Sequence, residues 1–379
     1  MKRVLILLLS LTMVAFVFAA SNTASINQAG NDHEADVHQS GASNTATVTQ
    51  NGGNNNTLGD PQAGDPGINV GSEVDNVSLA KGLVQEGDGN SATITQTGSN
   101  NVIQQFRELR GVLNSVYQKG DVNTLTITQV GDNNVVGQAV YEYDGLNQAG
   151  DGNVANISQN GGGNKLNVFY QKDDNNTALI NQTGNNNVIS SATQVLLGAS
   201  PAANYLNIVQ DGDNNTISGA GEEGSGVNGW ITQDGDANRA GMQLSRTAAW
   251  GDIDQIGDHN QATLTINKSY IGGSNTGDID QIGDYNKATQ VIGQADPSTI
   301  SSTNSMTTYQ SGDYNDADIR IEGSNNLASV SQTGVGNHIA DITQTGDSNN
   351  ASISSDGTGH TGTITQSGNM NQALITQNP

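Results

Sequence analysis

The chain alternates. Over residues 22–28 the recurring positions are Asn22, Ala24, Ile26 and Gln28, separated by Thr23, Ser25 and Asn27. The same order returns at Asn44-Ala46-Val48-Gln50, Asn90-Ala92-Ile94-Gln96 and Asn153-Ala155-Ile157-Gln159. It continues at Asn176-Ala178-Ile180-Gln182, Asn326-Ala328-Val330-Gln332 and Asn371-Ala373-Ile375-Gln377. Leu125 takes the Ala place between Asn123 and Gln129, Leu206 does so in another copy, and His33 takes the Asn place in the copy ending at Gln39. A period of two is the strand period. Each copy predicts a seven-residue strand, roughly 23 Å long at 3.3 Å per residue.

The four residues after each strand carry Gly at a constant place, as at Gly30, Gly41, Gly87, Gly98 and Gly120, and again at Gly131, Gly150, Gly346 and Gly368. Glycine there predicts a tight turn. The step from Gln28 to Gln39 to Gln50 is 11 and 11, and it recurs from Gln85 to Gln96 and from Gln148 to Gln159. Gln96 to Gln118 and Gln310 to Gln332 are double steps of 22. Strand, turn, strand, turn predicts an all-β, two-sided β-solenoid of amyloid-like character, with an 11-residue half repeat and a 22-residue full repeat. Rungs stacked at about 4.8 Å set Asn over Asn and Gln over Gln. The recurring Asn and Gln are therefore expected to point inward and to bond, amide to amide, along the stack.

The pattern is interrupted near 58–80 (with Pro61 and Pro66), 102–116, 186–206, 216–230 and 287–308, which reads as insertions on a solenoid face. Phe106 to Leu113 is the one stretch that suits a helical turn or an outward loop. No linker divides the chain, so residues 21–379 are expected to form one repeat domain. Residues 1–20 read as a secretory leader: Lys2 and Arg3, an apolar run from Val4 to Phe18, then Ala19 and Ala20. That run is short for a membrane span. The mature chain is expected to be secreted.

Composition supports this picture. Gly (48), Asn and Gln make up about a third of the 379 residues, and the hydrophobic share is 33%, against roughly 45–50% apolar residues in an ordinary soluble domain. Such figures can mean disorder. The fixed register argues instead for a thin core built from polar rows. The formal charge is −24, and −26 once Lys2 and Arg3 leave with the leader. Lys and Arg drive nucleic-acid affinity, so that partner class is excluded. The absence of Cys removes disulfides, thiolate metal sites and Cys nucleophiles.

Other chemistry is sparse. Ten turns read Gly-Asp-x-Asn, as at Gly87-Asp88 and Gly257-Asp258. Carboxylates at turns raise the question of calcium. One acid per turn favours instead an Asp capping its own backbone. His33, His38, His259, His338 and His360 lack metal-ligand spacing, and no catalytic motif occurs, so neither cofactor nor enzyme activity is expected. Trp230 and Trp250 fall outside the recurring positions, and packing of irregular rungs is the plain expectation for them.

The motif Gln-x-Gly-x-x-Asn-x-Ala-x-x-x-Gln resembles the curlin repeat of curli fibre subunits. It stands at Gln39, Gly41, Asn44, Ala46 and Gln50, and at Gln85, Gly87, Asn90, Ala92 and Gln96. It stands again at Gln148, Gly150, Asn153, Ala155 and Gln159, and at Gln366, Gly368, Asn371, Ala373 and Gln377. The resemblance implies a secreted subunit that polymerises into extracellular fibres of a biofilm matrix. It further implies a nucleator or sister subunit and export through an outer-membrane secretion pore. The alternative from a different class is a monomeric surface adhesin or ice-binding solenoid. That reading would use outward Thr-x-Thr pairs such as Thr47 and Thr49, or Thr263 and Thr265.

Overall fold

The computed structural model describes residues 21–31, 34–35, 37–58, 80–103, 113–137, 146–195, 203–245, 248–266, 274–293, 303–334 and 336–378. The leader and Phe106 lie outside them. The described residues are all-β and form two parallel sheets. The first holds 14 strands, from Thr23–Asn31 to Gln372–Gln377. The second holds 17 strands, eight of which pair up two to a rung, so that they fill 13 rung positions. The chain passes from one sheet to the other at every turn, which makes the molecule a two-sided β-solenoid.

Register follows the repeat. Ala24 lies beside Ala46, Ile26 beside Val48 and Gln28 beside Gln50. In the clean layers the partner is 22 or 23 residues away, as for Ser305 with Leu327 and Val154 with Thr177. Thr45 pairs with Ser91, 46 residues on. The excess there, 59–79, lies outside the described residues. It separates strands Thr57–Leu58 and Ala80–Glu86 of a single rung. Val102–Ile103 and Leu113–Lys119 share a rung in the same way, as do Val135–Val136 and Leu146–Ala149. That third break, before Leu146, carries no strong signal in the sequence.

One expected interruption is a regular part of the stack. Residues 216–230 hold strand Thr216–Glu223, a tight turn and the start of strand Asn228–Asp234. The spacing stretches because of a bulge. Leu166 and Phe169, Ile189 and Ala192, and Ile217 and Ala220 are successive inward pairs three residues apart, stacked in register. The extra residue is absorbed within the strand, as a β-bulge does. The next layer returns to spacing two, with Ala240 and Met242 beside Ile217 and Ala220.

The core is the seam between the sheets. Ala46, Val48, Ala92, Ile94, Leu125 and Ile127 from the first sheet face Leu58, Leu83, Ile103 and Val116 from the second. Volume is matched across the seam. At Gly251 and Gly277 of the first sheet, Leu244 and Leu264 of the second reach across, and a Cβ on Gly251 would lie 2.9 Å from a Leu264 methyl.

Candidate functional site: amide rows, turns and open ends

In the first sheet twelve glutamines, from Gln28 to Gln332, stand one above another. Each Nε2 donates to the next Oε1: Gln28 to Gln50 at 2.7 Å, then Gln50 to Gln96, Gln96 to Gln129, Gln129 to Gln159 and Gln159 to Gln182 at 2.8 Å. The row runs on through Gln210, Gln233, Gln255, Gln281 and Gln310 at the same 2.8 Å. The second amide hydrogen crosses to the other strand, as from Gln96 to the Asn101 carbonyl at 3.0 Å. Ser355 interrupts the row and donates to Gln377 Oε1 at 2.9 Å. In the second sheet Gln39, Gln85, Gln118, Gln148, Gln171 and Gln194 repeat the arrangement. Glu222 then takes the Gln place, followed by Leu244, Ile266, Ile292 and Ile321, before Gln344 and Gln366 resume it.

The asparagines stack but bond differently from the expected amide-to-amide row. Asn44 Oδ1 accepts the backbone N–H of Asn90 at 2.8 Å, and Asn44 Nδ2 donates to the Gly87 carbonyl at 2.7 Å. Asn90 and Asn123 do the same one layer on, whereas Asn153 keeps only the first bond, its Oδ1 accepting the N–H of Asn176 at 2.9 Å, and its Nδ2 has no partner. Asn22 follows with the Gly41 carbonyl, and Asn326 with that of Gly346. The side chain is one methylene shorter than Gln and starts beside the turn, so backbone groups are its nearest partners. Direct amide pairs persist only locally, as from Asn176 to Asn153 at 3.1 Å and from Asn371 to Asn349 at 2.9 Å.

The turns stack as tightly as the strands. Gly87, Gly98, Gly120, Gly131 and Gly346 hold φ between 104° and 113°, and Gly41, Gly150 and Gly368 lie at 96°, 118° and 101°. A side chain is excluded twice over, since a Cβ at Gly87 or Gly131 would run into the carbonyl of the glycine one layer on. Gly30, in the first layer, has φ 143°. The turn aspartates do not cap their own backbone as expected. Asp121 Oδ1 accepts the N–H of Asp88, and Asp151 that of Asp121, both at 2.7 Å. Asp258, Asp284 and Asp313 serve the turn before each of them likewise. Each carboxylate thus pins two layers together.

Three surface features escape sequence reasoning because they depend on register. Tyr205, Trp230 and Trp250 form an aromatic row with ring centroids 5.6 and 5.7 Å apart. Beside it, Asp252 and Asp254 lie in register with Asp278 and Asp280. Burial, then the carboxylates of Asp254, Asp278 and Asp280, push Asp252 up to about 7, and burial with Asp280 and Asp254 pushes Asp278 up to about 6. At the turns, His259, Tyr285 and Tyr314 stack at 4.6 and 5.0 Å. His338 and His360 stack inside the Asn row at 5.3 Å.

The two ends are complementary. Gln28 and Gln39 begin their rows, so their Oε1 atoms face the open side of the first layer. Gln366 and Gln377 end theirs. Their Nε2 groups donate to the Asn350 and Thr361 carbonyls at 3.0 and 2.9 Å, which leaves the second amide hydrogen for the layer beyond. Strand Thr23–Asn31 is exposed throughout, and Ile26 retains 46% of its surface.

Four stretches, residues 19–52, 31–59, 82–104 and 304–334, match the model of the curlin associated repeat. These stretches carry curlin associated repeats. The matched stretches hold the strands and turns at both flanks of the first insertion and the clean layers near Asn326. No curated protein matches the chain. The curlin-repeat fold is structural in character. Among the described residues no helix is long and apolar enough to cross a membrane, and no group of three or more His, Asp or Glu could hold a metal.

Proposed function

We propose that this protein is a secreted, non-catalytic structural subunit. Its copies stack end to end into amyloid-like fibres of an extracellular biofilm matrix, where they serve adhesion and cell aggregation. The observation that carries this reading is the pair of open ends. Acceptors of Gln28 and Gln39 stand at one end and donors of Gln366 and Gln377 at the other. Among the described residues strands Thr23–Asn31 and Gln372–Gln377 each have a sheet neighbour on one side only, and the outer edge of such a strand templates further strands. Export through an outer-membrane pore and growth from a nucleator or sister subunit complete the reading. Incubation of the secreted form, from Ser21 onward, is expected to give thioflavin-positive fibres with a meridional reflection near ~4.8 Å. A chain that stays monomeric for days, even when seeded with sonicated aggregates, overturns it.

The rival reading, a monomeric adhesin or ice-binding solenoid, requires a long threonine plane. Thr47, Thr93 and Thr126 do stack in the first sheet, but Asn156 follows them. Thr263 and Thr265 lie in the other sheet, beside Gly241 and Gln243.

A further inference from the structure

The two sheets do not hold the same number of layers. The described residues open with a strand of the first sheet, Thr23–Asn31, and close with another, Gln372–Gln377. The first sheet therefore has 14 positions and the second 13, so the next position beyond Gln377 belongs to the second sheet. Suppose a second copy docked with its sheets aligned, Thr23–Asn31 on Gln372–Gln377. Its second-sheet strand Val37–Ser40 would then sit two layers above Thr361–Ser367. An empty strand slot would lie between them, with seven residues of backbone edge unpaired and the seam open.

We propose that copies dock with their sheets exchanged. The incoming copy is rotated by half a turn about the solenoid axis, so that its first sheet continues the second sheet of the copy before it, and the reverse. This rests on the end-to-end assembly proposed above. Rotation by half a turn also reverses strand direction, so both new pairings stay parallel. The slot is filled, and the last strand of one copy and the first of the next become related as consecutive strands of one chain.

The inward residues fit this joint position by position. Strand Thr361–Ser367 offers Gly362, Ile364 and Gln366, and receives Ala24, Ile26 and Gln28 of the next copy. Strand Gln372–Gln377 offers Ala373, Ile375 and Gln377, and receives Ala35, Val37 and Gln39. Ala35, Val37, Ala373 and Ile375 are the partly buried apolar residues packed at the rim of the core. The joint places Ala35 on Ala373 and Val37 on Ile375, and covers the exposed Ile26 with Ile364. Both glutamine rows continue with donor to acceptor, Gln366 to Gln28 and Gln377 to Gln39. The glutamines at the joint thus pass from one sheet's row to the other's. Inside the chain the rows never cross, because every second strand position returns to the same sheet and stacks on its predecessor there.

The chain has no Cys, so an engineered pair is unambiguous. In the exchanged joint the outward Ser25 faces Thr363; in the aligned joint it faces Leu374. In-register neighbours about 4.8 Å apart are within disulfide reach. Fibres of Ser25→Cys/Thr363→Cys are expected to oxidise to covalent multimers, and fibres of Ser25→Cys/Leu374→Cys to remain monomers on a denaturing gel. The opposite pattern overturns the exchange and leaves fibre assembly standing. If the variants fail to form fibres, helical reconstruction of the unsubstituted fibre decides. The exchange gives a rise of about 65 Å per copy with the interrupted sheet on alternating sides, and alignment gives about 67 Å with it on one side, at ~4.8 Å per layer. Absence of fibres from the unsubstituted chain overturns the assembly reading, and the joint with it.

Discussion

At the scale of the residue, the rows test each position by what its neighbours one layer away require. Glu222 stands where Gln39 to Gln194 place amides beneath it, and its Oε2 accepts from Gln194 at 2.9 Å. Burial holds its carboxyl well above the ordinary range, against the bonds from the Gln194 amide and the Gly229 N–H. The folded chain thus keeps this proton to a higher pH than the unfolded chain does. Glu222 lowers stability as pH rises past about 4.3, where the unfolded side chain ionises. Glu222→Gln is expected to raise the urea midpoint at pH 8, by on the order of 1–3 kcal/mol of stability, the cost of an ill-satisfied buried polar group. The gain should shrink at pH 4, and a midpoint unchanged at pH 8 would refute the buried neutral acid. Gly131 illustrates the turn rule, with φ 104° and the Gly161 carbonyl where a Cβ would go. Gly131→Ala is expected to cost at least about 1–3 kcal/mol in denaturant. Gly219→Ala, with nothing within 4 Å, should stay within about 0.5 kcal/mol. Equal losses would show that stacking of the turns is not what fixes the glycines.

At the scale of the strand, the inward pattern was legible because it is local: seven residues from Asn to Gln carry their own alternation. What was not legible depends on partners far apart in sequence. Leu244, Ile266, Ile292 and Ile321 take the Gln place in four successive layers. Across the seam those layers meet Gly251 and Gly277, and only the fold reveals that exchange of volume. The stacked bulge at Phe169, Ala192 and Ala220 lengthens three strands by one residue, which in sequence looks like a lost repeat. The acidic square is a third case. Trp250–Ile256 and Thr276–Ile282 both read Gly-Asp-Ile-Asp, but 26 residues separate them, and register alone sets Asp252 beside Asp278. The strands on either side present Trp230 and Thr232, and Thr307 and Tyr309, so the flanking strands set no cation beside the four acids. Asp252 is raised to about 7 and Asp278 to about 6, chiefly by burial. The folded state therefore binds more protons than the unfolded between about pH 4 and 7. Stability is expected to fall as pH rises through that window and to level off above it. Asp252→Asn/Asp278→Asn should flatten the thermal-midpoint profile from pH 5 to 8, and a profile as steep as the parent's would rule the square out as its source.

At the scale of the whole molecule, the chain carries a net charge of −24 while placing many of its acids in straight rows. One row, through Asp88, Asp121 and Asp151, runs along one edge in the first half of the stack. Another, through Asp213, Asp236, Asp258, Asp284 and Asp313, runs along the other edge in the second half. Neighbouring acids one layer apart repel by about 1 kcal/mol in a water-like dielectric. The N–H each one accepts offsets that only in part. The same position in the end layers holds Asn31, Ala42 and Asn369, so the rows stop short of both open faces. Repulsion between copies is then long-range, from the bodies of two acidic rods, because these aspartate rows end before the faces that touch. Long-range repulsion of this kind is screened over about 30 Å at 0.01 M salt and about 3 Å at 1 M. The lag before fibre growth is therefore expected to shorten severalfold between 10 mM and 1 M NaCl. Asparagine can replace a row member without losing its bond, as Asn185 does in accepting the Gly162 N–H at 2.9 Å. Asp258→Asn/Asp284→Asn should accordingly keep the fold, shorten the lag at 10 mM and leave it unchanged at 1 M. A lag indifferent to salt in the parent chain would place the barrier to assembly at the faces rather than in the charge of the rods.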